Sequence, residues 1–112
     1  MRNRICDLLN IEYPVIQGGM AWVANTDLAA AVTSAGGLGI IESNSIDVPA
    51  LRAAIECCRG LTDRVFGVNI MMMNPVVDDL AQLVIDMGVK VVTTGAGSPA
   101  RLMPAWLEFR NK

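Results

Sequence analysis

Four short apolar runs, separated by amphipathic stretches of helix length, predict an α/β domain built on a parallel sheet of about four strands. Three observations carry that expectation. The runs are short and rich in β-branched residues, as strands buried on both faces are. The stretches between them are long enough for one crossover helix each, which a hairpin would not need. Capping residues, prolines and glycines fall at the boundaries that such an alternation requires.

Taken in order, Arg4 to Leu9 reads as a short lead-in helix. The first strand is Val15-Ile16, which runs into Gln17-Gly18-Gly19-Met20. Asn25-Thr26-Asp27 opens the first main helix, with Leu28, Ala31, Val32 and Ala35 along its inner side. The second strand is Gly37-Leu38-Gly39-Ile40-Ile41. Asp47 with Pro49 opens the next helix, which turns Leu51, Ala54, Ile55 and Cys58 inward. Val65-Phe66-Gly67-Val68-Asn69-Ile70 is the third strand, and Asn74-Pro75 starts a helix carrying Val76, Leu80, Leu83, Val84 and Met87. Val89-Lys90-Val91-Val92-Thr93 is the fourth strand, and Ser98-Pro99 starts the last helix. At these starts a side-chain oxygen accepts an orphan amide, and proline gives up an amide that had no partner. Gly36, Gly60 and Gly88 stand where the helices should stop.

A doubly wound sheet and a (β/α)8 barrel both begin with this order. A closed barrel needs about 250 residues. A chain of 112 residues is therefore expected to supply at most a truncated N-terminal half-barrel, one partial domain over 1–112 with an open strand edge.

Composition narrows the function. Apolar residues make up 53% and charged residues 18%, which suits a packed core and argues against disorder. No run approaches the roughly 18 apolar residues of a membrane span. The start, Met1 to Asp7, has the positive charge of a signal peptide, but Asp7, Asn10 and Glu12 interrupt any apolar region behind it. A cytoplasmic protein away from membranes is expected. Three cysteines, two of them adjacent as Cys57-Cys58, and no histidine argue against a zinc site or a disulfide scaffold. A net charge of -2 without a basic stripe argues against nucleic-acid binding.

Parallel α/β folds bind ligands beyond the C-terminal ends of their strands. Those ends are Gly18-Gly19-Met20, Glu42-Ser43-Asn44, Asn69 and Thr93-Thr94-Gly95-Ala96-Gly97. The set is neutral and small. Its glycines let a flat ligand approach the backbone, and Asn69 offers one carbonyl and one amide group from an otherwise apolar strand. A large, weakly charged ring system fits better than a metal or a sugar acid. Plainer readings exist for each piece: a turn for Gly18-Gly19, a loop into a helix cap for Thr94 to Ser98, a loop brace for Asn69, and packing for Met20, Met71, Met72 and Met73. Gly95-Ala96-Gly97 is neither a dinucleotide fingerprint, because the spacing fails at Ala100, nor a P-loop. Trp22 reads as core or wall rather than lid. Catalytic candidates are few: Glu42 reads as a solvated loop acid, and Cys57 and Cys58 as packing residues inside a helix. No nucleophile–base pair can be drawn.

Tyr13-Pro14-Val15-Ile16-Gln17-Gly18-Gly19-Met20-Ala21-Trp22-Val23-Ala24 resembles the opening of the flavin-dependent nitronate monooxygenases, formerly called 2-nitropropane dioxygenases. The class II enoyl-acyl-carrier-protein reductases share that opening. The segments from Ala35 to Ile41, Phe66 to Ile70 and Val91 to Gly97 continue the resemblance in order, from about Ile5 to Trp106. The wording Met-Ala-Trp-Val-Ala and Val-Val-Thr-Thr-Gly-Ala-Gly leans toward the reductase branch. The resemblance implies a (β/α)8 TIM barrel that binds FMN at its C-terminal mouth, with NAD(P)H as co-substrate. It implies an acyl-thioester substrate, or a small alkyl nitronate oxidised with oxygen. The backbone around Gly18, Gly19 and Met20 would lie against the flavin, Asn69 would hydrogen-bond it, and Thr94 and Gly95 would line the ring pocket. The family's catalytic histidine and its phosphate-binding loops lie beyond the fourth strand, and residues Leu107 to Lys112 do not begin a fifth. A fragment that is inactive alone is therefore expected, or else a non-catalytic half-barrel that associates with itself or with a separate second half.

Overall fold

Side-chain oxygens set the first helix starts. In the computed structural model, which describes residues 3–20 and 25–110, Asn3 caps α1 (Arg4–Leu9) through the amide of Cys6 at 2.9 Å. Asn25 caps α2 (Thr26–Ser34) through Leu28, and Asp47 caps α3 (Val48–Leu61) through Ala50. Asn74 and Ser98 act one step earlier than expected. Their oxygens accept from Val76 and Ala100, closing turns that lead into α4 (Val77–Asp86) and α5 (Met103–Arg110) rather than capping the helices themselves.

Between the helices lie β1 (Ile40–Glu42), β2 (Gly67–Met71) and β3 (Val91–Gly95), paired in parallel in the order β1-β2-β3. The register sets Ile40 level with Gly67 and Asn69 level with Thr93. The first expected strand is reduced to a single parallel bridge between Ile16 and Leu38, so three strands and a bridge stand where about four strands were expected. The reason is local. Pro14 has no amide to donate, Val15 and Ile16 are 58% and 48% exposed, and the chain leaves the sheet at once through Gly18-Gly19. The ladder nevertheless continues one step beyond the bridge. The side-chain amide of Gln17 accepts from the Ile40 amide at 3.2 Å and donates to the Ile40 carbonyl at 3.0 Å, standing in for a peptide group.

The inner face of α2 also differs from expectation. Ala29, Ala30 and Thr33 are buried, while Ala31 and Ala35 are exposed and Leu28 and Val32 lie at the flank. Gly39 explains this. A Cβ there would fall 1.9 Å from the Ala29 carbonyl oxygen, so the helix backbone rests directly on the strand and only small residues fit the contact. The Thr33 hydroxyl receives the Gly39 amide at 2.9 Å. Of the expected inner residues, Leu51, Ile55 and Cys58 of α3 and Leu80, Leu83 and Val84 of α4 are buried, Ala54 and Met87 are half-buried, and Val76, which precedes α4, is exposed. Gly36 and Gly88 end their helices with positive φ, whereas Gly60 lies inside the last turn of α3, which stops at Thr62.

Alternation along the strands divides the core. Ile41, Val68 and Ile70 pack with Ala29, Leu51, Ile55, Leu80 and Val84 on the helix side. Leu38 and Ile40 face the other way and pack with Cys6 and Ile11, so α1 covers the N-terminal end of the sheet.

Two glycines should respond oppositely to the same substitution. Gly39→Ala forces α2 off the sheet and should lower stability by about 3 kcal/mol or more. Gly60→Ala adds a methyl where nothing lies within 4 Å, in a helical position, and should raise stability by about 0.5–1 kcal/mol. Urea denaturation of the two variants beside the parent chain measures both.

Candidate functional site

Register and alternation together decide which side chains meet. Residues level with one another in a parallel pair share a face. Val68 and Ile70 belong to the helix side, so Gly67, Asn69 and Met71 face away from the helices, with Val91, Thr93 and Gly95 beside them and Ile40 and Glu42 on the far strand. The middle row across this open face is Glu42, Asn69 and Thr93, a polar row near the C-terminal ends of the strands.

Asn69 is fixed from three directions. Its main-chain carbonyl accepts from the Ser43 hydroxyl at 2.6 Å, and its side-chain Oδ1 accepts from the Thr93 hydroxyl at 2.8 Å. On its third side lies Gly19, where a Cβ would sit 2.7 Å from the Asn69 Cβ and 3.1 Å from Nδ2. The turn after the first bridge therefore closes directly on Asn69, and any larger residue at position 19 would collide with it. Gly18, by contrast, faces open space, with nothing within 4 Å of a Cβ built there.

The expected site residues separate accordingly. Gly18, Gly19 and Asn69 form one locus, and Met20 follows the turn with an exposed side chain. Gly95 is level with Met71 further along the same face, its Cβ position 3.3 Å from the Met71 sulfur. Thr94 is level with Ile70, so alternation sends its side chain to the helix side while its main chain stays near the strand end. The threonine that reaches Asn69 is Thr93. Trp22 lies outside the described residues.

Glu42 is not the solvated loop acid expected of it. It is 6% exposed, and its carboxylate accepts from the amides of Asn44 and Ser45 and from the Ser45 hydroxyl. Burial costs a carboxylate little when its oxygens are so matched, and the group braces the β1–α3 loop. Asn44 in that loop accepts from the Asn74 side chain at 3.1 Å, tying it to the β2–α4 loop. The described loops after the strands carry one cation, Arg101, which is paired with Asp78. The mouth thus offers open backbone, one clamped carboxamide and hydroxyls, suited to the edge of a neutral ring and without a ready anchor for a phosphate.

The cysteines lie elsewhere. Cys58 packs in the core, as expected, but Cys57 faces outward on α3. Burial first, and the neighbouring Cys57 second, push the Cys58 thiol up from 9.0 to about 11, with Arg59 opposing. A groove of about 640 Å³ lined by Val84, Val89, Val92, Trp106, Leu107 and Phe109 among others lies on the helix side, away from the polar row. Among the described residues no helix is long and apolar enough to cross a membrane.

Known proteins with this fold supply the context. The family model described as nitronate monooxygenase matches residues 2–93. A (3aS,4S,5R,7aS)-5-hydroxy-7a-methyl-1-oxo-octahydro-1H-indene-4-carboxyl-CoA dehydrogenase from Mycobacterium tuberculosis is 41% identical over 93 residues, covering 83% of this chain and 26% of that protein. A probable nitronate monooxygenase from Staphylococcus aureus is 41% identical over 71 residues, 63% of this chain and 20% of that protein. FabK from Thermotoga maritima superposes with a TM-score of 0.94 at 48% identity, over 96% of this chain and 35% of that one. A nitroalkane oxidase from Streptomyces ansochromogenes does so at 0.82 and 25% identity, over 94% and 40%. The chain spans about a quarter or less of the curated relatives it matches and about a third of the FabK chain. Its β/α units correspond to part of a TIM barrel, the fold class expected from the sequence.

The geometry fixes three outcomes. Gly19→Ala should cost about 1–3 kcal/mol by driving into Asn69, whereas Gly18→Ala should leave the urea midpoint unchanged. Iodoacetamide at neutral pH should modify Cys57 well before Cys6 or Cys58, as mass spectrometry of digests will show. The folded Cys58 thiol titrates above its unfolded counterpart. Its contribution to stability is therefore complete below about pH 9 and lost as pH rises toward 11. Urea midpoints between pH 7 and 11 should fall in that window, and Cys58→Ala should remove this component.

Proposed function

The chain belongs to the nitronate monooxygenase family, and on that premise we propose that it is the ring-binding part of an FMN-dependent oxidoreductase. The observation that carries this reading is the closure of Gly19 on a clamped Asn69 beside the open backbone of Gly18. FMN, when bound, supplies two-electron transfer. The residues of this chain bind and orient. Gly18, Gly19 and Met20 present main chain to the ring, Asn69 hydrogen-bonds its edge, and the main chain of Thr94 and Gly95 lines the pocket at the end of β3. With no histidine in the chain and Glu42 committed to its loop, we assign it no proton-transfer role.

For the whole reaction, the likeness to FabK is the stronger of the structural ones, and a curated relative acts on a carboxyl-CoA compound. Both favour an acyl thioester as substrate, with NAD(P)H as hydride donor. Oxidation of a nitronate with oxygen is the second reading, favoured by the family description and the Staphylococcus aureus relative. The outer edge of β3 has no strand partner among the described residues, which supports association with another copy or another polypeptide through that edge. The three free thiols agree with a cytoplasmic setting.

Because the described mouth recognises a ring but supplies no free cation, FMN and riboflavin should quench on this chain with dissociation constants within about threefold of each other. Gly18→Ala should weaken both by about tenfold by filling the open space over the turn, and Asn69→Ala should do the same by removing a hydrogen bond. Fluorescence titration reads all four. FMN binding more than tenfold tighter than riboflavin would reveal a phosphate anchor in the chain, and no quenching of either would sink the ring assignment. Without a proton donor, the chain alone should oxidise NADH or NADPH with a crotonyl thioester no faster than free flavin.

A further inference from the structure

We infer that Thr93 is a positioning residue, which fixes the Asn69 carboxamide so that the site presents a hydrogen-bond donor to its ligand. The side chains of Asn69 and Thr93 are level across the β2–β3 pair, and the Thr93 hydroxyl donates to Asn69 Oδ1 at 2.8 Å. Oδ1 is thereby turned toward β3, and Nδ2 is turned toward the Gly18-Gly19 turn, where it lies 3.1 Å from the Cβ position of Gly19.

The opposite orientation is a real alternative, because a hydroxyl both donates and accepts. With the amide reversed, Nδ2 would donate to the Thr93 oxygen, and the hydroxyl hydrogen would need another acceptor. The Asn69 side chain is the one hydrogen-bond partner of that hydroxyl among the described residues. The observed orientation satisfies the hydroxyl hydrogen and Oδ1, and it leaves the Nδ2 hydrogens rather than a lone pair facing the Gly18-Gly19 turn. The main chain of Asn69 is held by the Ser43 hydroxyl on its carbonyl, and the Gly18-Gly19 turn passes close against its side chain, so Thr93 is what sets which end of the carboxamide faces that turn. A carboxamide held this way selects for an acceptor, such as a ring nitrogen or ring carbonyl, and against a donor edge. The ligand's identity rests on the flavin reading; the clamp itself does not.

The test separates the two. Thr93→Val keeps the β-branched shape and removes the hydroxyl, and Thr93→Ser restores it. In the 15N-labelled 112-residue chain, the Asn69 side-chain NH2 is assigned by its loss in Asn69→Ala. Its order parameter should be near about 0.8 in the parent and in Thr93→Ser, and below about 0.6 in Thr93→Val. Riboflavin should bind Thr93→Val about tenfold more weakly than the parent, and Thr93→Ser within twofold. Asn69→Asp, which offers acceptors only, should bind at least as weakly as Thr93→Val. A parent that binds no riboflavin but shows the order-parameter change would sink the flavin reading and leave the clamp standing. An Asn69 amide equally ordered in Thr93→Val overturns the clamp. Undiminished riboflavin binding by Thr93→Val or by Asn69→Asp overturns the donor assignment.

Discussion

A slip of one residue between β2 and β3 would carry Asn69 to the helix side and leave an apolar face where the polar row stands. The parallel register that sets Asn69 level with Thr93 is therefore the constraint on which the site depends. It is enforced from below and behind. Val68, Ile70 and Val92 pack against the helices, and Leu38, Ile40 and Val91 pack over α1. Slippage would expose the first set and bury polar side chains in its place, at about 1.5–3 kcal/mol for each large side chain uncovered. The core thus fixes the chemistry of the mouth without touching it.

The neutrality of that mouth follows from how its one acid is used. Glu42 points to the same face as Asn69, yet its oxygens are occupied by the loop that follows it. With those oxygens already bonded, what the row offers for new contacts is hydroxyl, carboxamide and backbone groups. No buried side-chain nitrogen or oxygen among the described residues lacks a partner. Binding a neutral ring edge there requires no ionised group to be stripped of its compensation, which is the usual obstacle to a ligand entering a charged pocket. It also explains why a phosphate would find little here, since Arg101 already faces Asp78.

Periodicity and caps disclosed most of the fold. The lead-in helix at Arg4–Leu9, the caps Asn25 and Asp47, and most of the inner faces of α3 and α4 could be read from the sequence; Val76 was the exception, standing exposed ahead of α4. The inner face of α2 could not, because its governing contact is a backbone-to-backbone approach at Gly39 rather than a row of large side chains. The geometry of the candidate site was half legible for a related reason. Glycines and a lone asparagine at strand ends marked Gly18, Gly19 and Asn69. Val91-Val92-Thr93-Thr94 is a doublet pattern, however, and a doublet carries no alternation from which to choose a face. Only pairing with β2 shows that Thr93, not Thr94, meets Asn69. Glu42 looked like a surface acid because Asn44 and Ser45 look like an ordinary polar loop; that their amides converge on it is a property of the turn, not of composition.

The weakness of the first strand is part of how the site is made. A full strand through residues 15–20 would hold the chain in the sheet and keep Gly19 level with its neighbours. Ending the ladder at Ile16 would instead leave the Ile40 amide and carbonyl without partners, at about 1–3 kcal/mol for each buried group. Gln17 resolves the conflict. Its side chain supplies both missing hydrogen bonds to Ile40, so the main chain is free to leave the sheet at Gly18 while the edge of β1 stays satisfied. The freed turn then crosses to Asn69 two strands away in sequence order, and glycine at position 19 is what lets it come close enough. A side-chain amide thus completes the sheet and a main chain without side chains completes the site, and each substitution of role depends on the other.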